Sequence, residues 1–186
     1  MSGIIWLITE DESDFKVVQA LLAAYGYRVT VKWKRLTGGS GGISRLVDQV
    51  DRLIQTALVE KGKNDCIAVL HDADIHKESE RSKYEAIKKI CTKRKVKHIV
   101  AYDELESWLL ADAGVSRWLG IKHENWDSRR KPKDDLNRLM KDKIGHKYQG
   151  AYKKCVLDEL KKDTANNKSP SLKKALQHLD NAPCTR

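Results

Sequence analysis

The chain lacks any hydrophobic run long enough to cross a bilayer, which takes about 18 consecutive apolar residues. Its apolar opening, "GIIWLIT", is short and turns acidic within three residues, unlike the apolar core of a secretory signal. A cytoplasmic protein with no membrane partner is therefore expected. The four cysteines, Cys66, Cys91, Cys155 and Cys184, contain no Cys-x-x-Cys pair. Their wide separation argues against a zinc site and gives no support for a disulfide framework. There is no internal repeat and no long low-complexity tract. The glycine cluster "TGGSGG" is not followed by Gly-Lys-Ser/Thr, so it is no nucleotide P-loop.

What is present suits one domain with a substantial core: 186 residues, 40% hydrophobic and 33% charged. The net charge of +10 is unevenly spread. Residues 1–112 hold 18 Lys+Arg against 17 Asp+Glu, or +1; residues 113–186 hold 18 against 9, or +9. A basic surface of this kind attracts phosphate backbones or an acidic partner, and excess charge for solubility is the plainer reading.

Periodicity predicts alternating strands and helices over 1–112. Strands are expected at 3–9, 28–34, 66–72 and 97–102. Helices are expected at 14–27 with Ser13 as N-cap, at 43–60, at 78–93 and from 103. This is an α/β fold with a mainly parallel four-stranded sheet flanked by helices. Residues 113–186 read as a basic helical extension packed on that core, interrupted by a polar stretch at 163–171.

Carboxylates stand at three of the expected strand ends: Glu10 with Asp14, Asp72 with Asp74, and Glu106. In a parallel sheet these ends lie on one edge, where ligand sites gather. Convergent carboxylates repel one another and either raise a pKa or gather cations. Hard oxygen ligands there suit Mg²⁺ or Mn²⁺. Glu12 and Asp11 are explained as helix-start charges. Asp72 and Asp74 have an ordinary alternative as loop and N-cap residues.

"ITEDESDF" and "VLHDAD" resemble the two motifs of Toprim domains, a strand ending in Glu and a strand ending in Asp-x-Asp about 60 residues on. "AYDELESWLLAD", "RRKPKDDLNRLM" and "YQGAYKKC" resemble elements of small Toprim-like proteins related to the overcoming-lysogenization-defect (OLD) nucleases. The resemblance implies a Rossmann-like Toprim core and a nuclease that hydrolyses phosphodiester bonds. In that reading Glu10 is a metal ligand or general acid/base supported by Asp14, Asp72 and Asp74 hold Mg²⁺, and Glu106 completes or flanks the site. It also implies DNA or RNA as substrate and an ABC/AAA-type ATPase partner, in phage defence or a mobile element. The family's usual Gly after the first-motif Glu is Asp11 here, which adds a charge and a side chain.

Lys34, Arg35 and Arg45 flank the glycine cluster and are candidate nucleic-acid contacts, a flexible connector being the plainer reading. Arg129, Arg130, Lys131, Lys133, Lys153 and Lys154 form basic runs beside Trp126, Tyr148 and Tyr152. Such residues neutralise phosphates and stack on unpaired bases; solvated helix faces and core aromatics are the ordinary alternative. Trp108 is expected in the core. His71 is expected to face solvent, with a place beside a metal or phosphate as the other reading. Two further functions stay open: a nucleic-acid-binding subunit needing a partner for activity, and a phospho-receiver module using an Asp of "LHDAD". The spacing is long for a receiver, and acids stand where its lysine is expected.

Overall fold

The fold follows from where the apolar residues fall in four short strands. In the computed structural model, residues 3–38, 42–73, 77–161 and 167–180 are described, the last without its side chain. β1 (Ile4–Ile8), β2 (Thr30–Lys34), β3 (Cys66–Ala73) and β4 (Lys97–Tyr102) form one all-parallel sheet in the order β2-β1-β3-β4. Side chains alternate across a strand, so β1 feeds two cores. Ile5 and Leu7 pack with Val17, Leu21 and Leu22 of α1 (Glu12–Ala24). Trp6 and Ile8 pack with Leu46, Val50 and Ile54 of α2 (Ile43–Glu60) and with Ile87 and Cys91 of α3 (Arg81–Arg94). Each buried Leu, Ile or Val contributes about 1.5–3 kcal/mol by leaving water. Cys66, heading β3, is disulfide-bonded, which the cysteine spacing does not foreshadow, whereas Cys91 and Cys155 are free thiols.

The first connection runs from β1 to β2 at one edge. The later ones run through β3 to β4 at the other. The order in which strands are added therefore reverses between β1 and β3. In doubly wound sheets the crevice for ligands opens at this point, outside the carboxyl ends of the strands.

Beyond β4 the chain is helical: α4 (Glu106–Leu110), α5 (Ala113–Leu119), α6 (Pro132–Ile144), α7 (Lys153–Leu157) and α8 (Pro170–Asp180). Leu136, Met140, Val156, Leu172 and Leu176 of these helices join the same apolar cluster as Ile5 and Leu7. α8 also packs against β4.

The structure corrects one helix start. α1 begins at Glu12, and its N-cap is Asp11, whose Oδ1 accepts the Asp14 N–H at 3.1 Å, not Ser13. An Asp in extended backbone satisfies an orphan donor of the first turn and favours the helix dipole. Asp11 thus has a structural task at the position where the Toprim pattern has glycine.

Candidate carboxylate site

Glu10 follows β1, Asp14 lies in the first turn of α1, Asp72 sits near the end of β3, and Glu106 opens α4 just after β4. The sheet register puts Ile8 beside Val69, and Asp72 beside Ala101, so these ends share one edge. Asp74 lies outside the described residues. A cleft of about 510 Å³ opens there, lined by Glu10, Asp72, Glu80, Asp103, Glu104 and Asp134 among the acids. Lys77, Arg130 and Lys131 supply its cations.

Burial and like charge act together on these acids. Burial pushes the Glu10 carboxyl up to about 7, helped by the charges of Asp11 and Glu80 and offset in part by a backbone hydrogen bond from Asp72. Asp14 is raised well above its ordinary value by burial and then by Asp11, Glu106 and Glu10. Asp72 is raised in the same way by burial, Asp14, Glu106, Glu10 and Glu104, although its Oδ1 accepts the Leu105 N–H at 2.9 Å. Glu106, only 8% exposed, is raised by burial, while the Lys133 ammonium 4.0 Å away pulls it back. Four carboxylates from separate elements therefore lie within electrostatic reach of one another in a poorly solvated place. Such an arrangement disfavours its own full ionisation and favours a proton or an added cation.

Three expected basic residues sit at this site, and Lys153 joins them. Arg130 and Lys131 line the cleft, and Lys133 pairs with Glu106 while its backbone N–H donates to Glu104. The Lys153 ammonium donates to Ser13 Oγ and lies 5.2 Å from the Tyr148 ring centroid. Of the other five, Lys154 is exposed and four are engaged elsewhere. Lys34 pairs with Glu60 and covers Trp6, Arg35 lies over Trp33, Arg45 donates to the Thr37 carbonyl, and Arg129 pairs with Glu124 over Trp126. Long cationic side chains reach the nearest carbonyl, carboxylate or ring, a choice invisible in one dimension.

Trp126 and Tyr148 are 7% and 2% exposed, so they are core residues instead of open stacking platforms. Tyr152 is open and stacks on His146. Trp108 is buried, as expected, with its indole N–H donating to Ser171. His71 does not face solvent: it is buried, its Nε2 lies 2.9 Å from Nε2 of His98, and its Nδ1 lies 2.8 Å from the Asp72 carbonyl. Burial pushes His71 down and, with His71 beside it, pushes His98 to about 4. Both rings are therefore neutral near pH 7, one donating and one accepting across the pair. This couples β4 to the backbone of Asp72.

Glu80, Asp103 and Glu104 were not singled out in the sequence. Glu104 and Asp103 belong to the same "DELES" stretch as Glu106, which was the available signal; Glu80 had none. The donor set is all hard oxygen and suits a divalent cation of the magnesium class. Among the described residues, no three His, Cys, Asp or Glu side chains stand in a ready ligating arrangement.

The chain is thus an all-parallel doubly wound α/β protein with an acid-lined cleft at its switch point. No family model, curated protein or solved structure matches it. Among the described residues, no helix is long and apolar enough to cross a membrane.

Proposed function

We propose that the protein is a metal-dependent nuclease that hydrolyses phosphodiester bonds of DNA or RNA in the cleft at the carboxyl ends of β1, β3 and β4. One observation carries this reading: Glu10 and Glu106 lie close enough to Asp14 and Asp72, on separate elements, for their charges to raise both carboxyls. The resemblance of "ITEDESDF" and "VLHDAD" to Toprim motifs points the same way. Glu10 and Asp72, which line the cleft, would hold Mg²⁺ or Mn²⁺ together with Asp74 two residues on, and Asp14 and Glu106 would support or complete the site. The cation would supply Lewis acidity toward a phosphate oxygen and would make water more acidic.

The chain's own residues do the rest. Glu10, whose metal-free carboxyl is pushed up to about 7, serves in one of two ways: as carboxylate ligand to the cation or, off the cation, as the group that takes or returns a proton during water attack. Arg130 and Lys131, in the same cleft wall, meet the phosphate charge. Lys133, 4.0 Å from Glu106, works against the burial that raises this carboxyl and fixes its position. An ABC/AAA-type ATPase partner belongs to this proposal through the family resemblance alone.

The test is cleavage of labelled single- and double-stranded DNA and RNA with Mg²⁺ or Mn²⁺, comparing the wild type with Asp72→Ala and Glu10→Gln. Metal-dependent cleavage lost in both variants supports the reading. Cleavage that persists in EDTA and in both variants refutes it. Binding without cleavage, with cleavage restored by an ATPase partner, assigns the chain as a nucleic-acid-binding subunit.

A further inference from the structure

β4 ends the sheet, and among the described residues it pairs with β3 alone, so its outer edge carries no strand. A second groove of about 450 Å³ runs along that edge between α3 and α8. Its charged lining is of one sign, Lys88 from α3, Lys97 from β4 and Lys174 from α8, with His98 and His178 beside them and, among the described residues, no carboxylate. Lys88 and Lys174 are exposed, and Lys88 also lies 3.7 Å from Glu85 one turn before it on α3. The charges of Lys88, His178 and Lys174 reach far enough into the groove to act on the His98 ring, after burial and His71. Helices from opposite faces of the sheet thus aim their cations at one strand edge. Like charges held together this way repel, and a polyanion laid between them relieves it.

The groove and the carboxylate cleft adjoin along the chain: Tyr102 lines the groove and the next two residues, Asp103 and Glu104, line the cleft. Asp72 stands beside Ala101 in the register of β3 and β4, so a strand bound along this edge points toward the acids. Tyr102 offers a ring on which an unpaired base can stack. An acidic peptide would match the charge but has no use for the acid-lined cleft at the groove's end.

We infer that the groove along the free edge of β4 binds a single strand of nucleic acid, whose phosphates lie against Lys88, Lys97 and Lys174 and whose next phosphodiester lies over the carboxylate cleft. The strand's destination rests on the nuclease reading; its binding in the groove does not.

The experiment measures binding of a fluorescent single-stranded oligonucleotide in Ca²⁺ over a range of salt, for the full chain. Lys97→Glu with Lys174→Glu is expected to weaken binding about 10-fold or more and to flatten the salt dependence by more than one ion. Lys97→Gln with Lys174→Gln, a gentler change, moves both in the same direction by less. Lys63→Glu with Lys122→Glu, an equal charge change outside the groove, stays within about 2-fold of wild type. Wild-type affinity in the groove variants, equal weakening in the control, or no saturable binding by the wild type overturns the inference. So does displacement of the oligonucleotide by polyglutamate at matched charge, which would give the groove to an acidic peptide. Asp72→Asn separates the two claims. If it binds normally and cleaves normally, the carboxylate cleft is not the place of cleavage and the groove stands. If it binds normally and no longer cleaves, both stand.

Discussion

Two groups of acids, one buried and one half-buried, sit on opposite terms with their surroundings. Asp112 and Asp127 lie beneath the C-terminal helices, and each is met by donors. Asp112 accepts from the Gly114, Val115 and Lys161 amides and from the Tyr25 hydroxyl. Asp127 accepts from the Ser107 and Ser169 hydroxyls and the Ser171 amide. Asn167 joins this network by donating to Tyr25 and to the Trp108 carbonyl. At the cleft, the chief neighbours of Asp14 and Asp72 are other carboxylates. A buried acid surrounded by donors holds the fold together, whereas one surrounded by acids weakens it and persists where a ligand completes it.

Mutations should separate the two groups. Asp72→Ala is expected to lower cleavage about 100-fold or more while leaving the melting temperature unchanged or higher, because it removes a repelled charge. Kinetics and calorimetry on the same preparation check this; a fall in stability as large as the fall in activity would make Asp72 structural. Asp112→Ala is expected to do the reverse, destabilising by about 4 kcal/mol in denaturant titrations by stranding several buried donors. An Asp112 variant as stable as wild type would break the contrast from the other side.

The pH dependence follows from Glu10. Its folded-state pKa, about 7, lies above the ordinary carboxylate value of 4.5. The fold therefore binds this proton more tightly than the unfolded chain does. Stability should fall as pH rises from about 4.5 to 7 and level off above, by on the order of 3 kcal/mol for this group. Mg²⁺ should raise the melting temperature more at pH 8 than at pH 5.5, since it needs the ionised carboxylate. Thermal melts with EDTA or Mg²⁺ across that window test this, and a Glu10→Gln variant should show a shallower slope, since Asp14, Asp72 and Glu106 are raised as well.

Two smaller effects refine the comparison. A Cβ at Gly114 would stand 1.9 Å from the Glu159 carbonyl, so Gly114→Ala should destabilise by about 2 kcal/mol without touching the cleft. Among the described residues the buried Tyr148 hydroxyl has no hydrogen-bond partner, and the charges of Glu106 and Asp14 act on it. Tyr148→Phe should therefore change stability by less than about 1 kcal/mol, in the stabilising direction if at all. A larger loss would show that the hydroxyl is held after all, as those of Ser169 and Tyr25 are.

Much of the fold was legible because periodicity is local. β4 runs over the expected residues 97–102, α2 over 43–60, and β3 extends one residue beyond its expected end. The clustering of Glu10, Asp14, Asp72 and Glu106 was legible once a parallel sheet was assumed, because such a sheet brings its strand ends to one edge. The partners of polar side chains were not. His71 reads as an exposed residue after an apolar strand, and only the register of β3 against β4 brings His98 to its ring. Arg45 and Arg129 read as free cations until the fold supplies Thr37 and Glu124.

The sequence by itself determined the alternation of strands and helices, the acids at three strand ends and the basic excess after residue 112. These depend on the order of residue types along the chain. Only the tertiary structure decided which acids would be answered by donors and which by one another, and that Lys88, Lys97 and Lys174 would face a single groove. Hydrogen bonds and charges act across a few ångströms of space, and the residues concerned stand up to 142 positions apart in the chain.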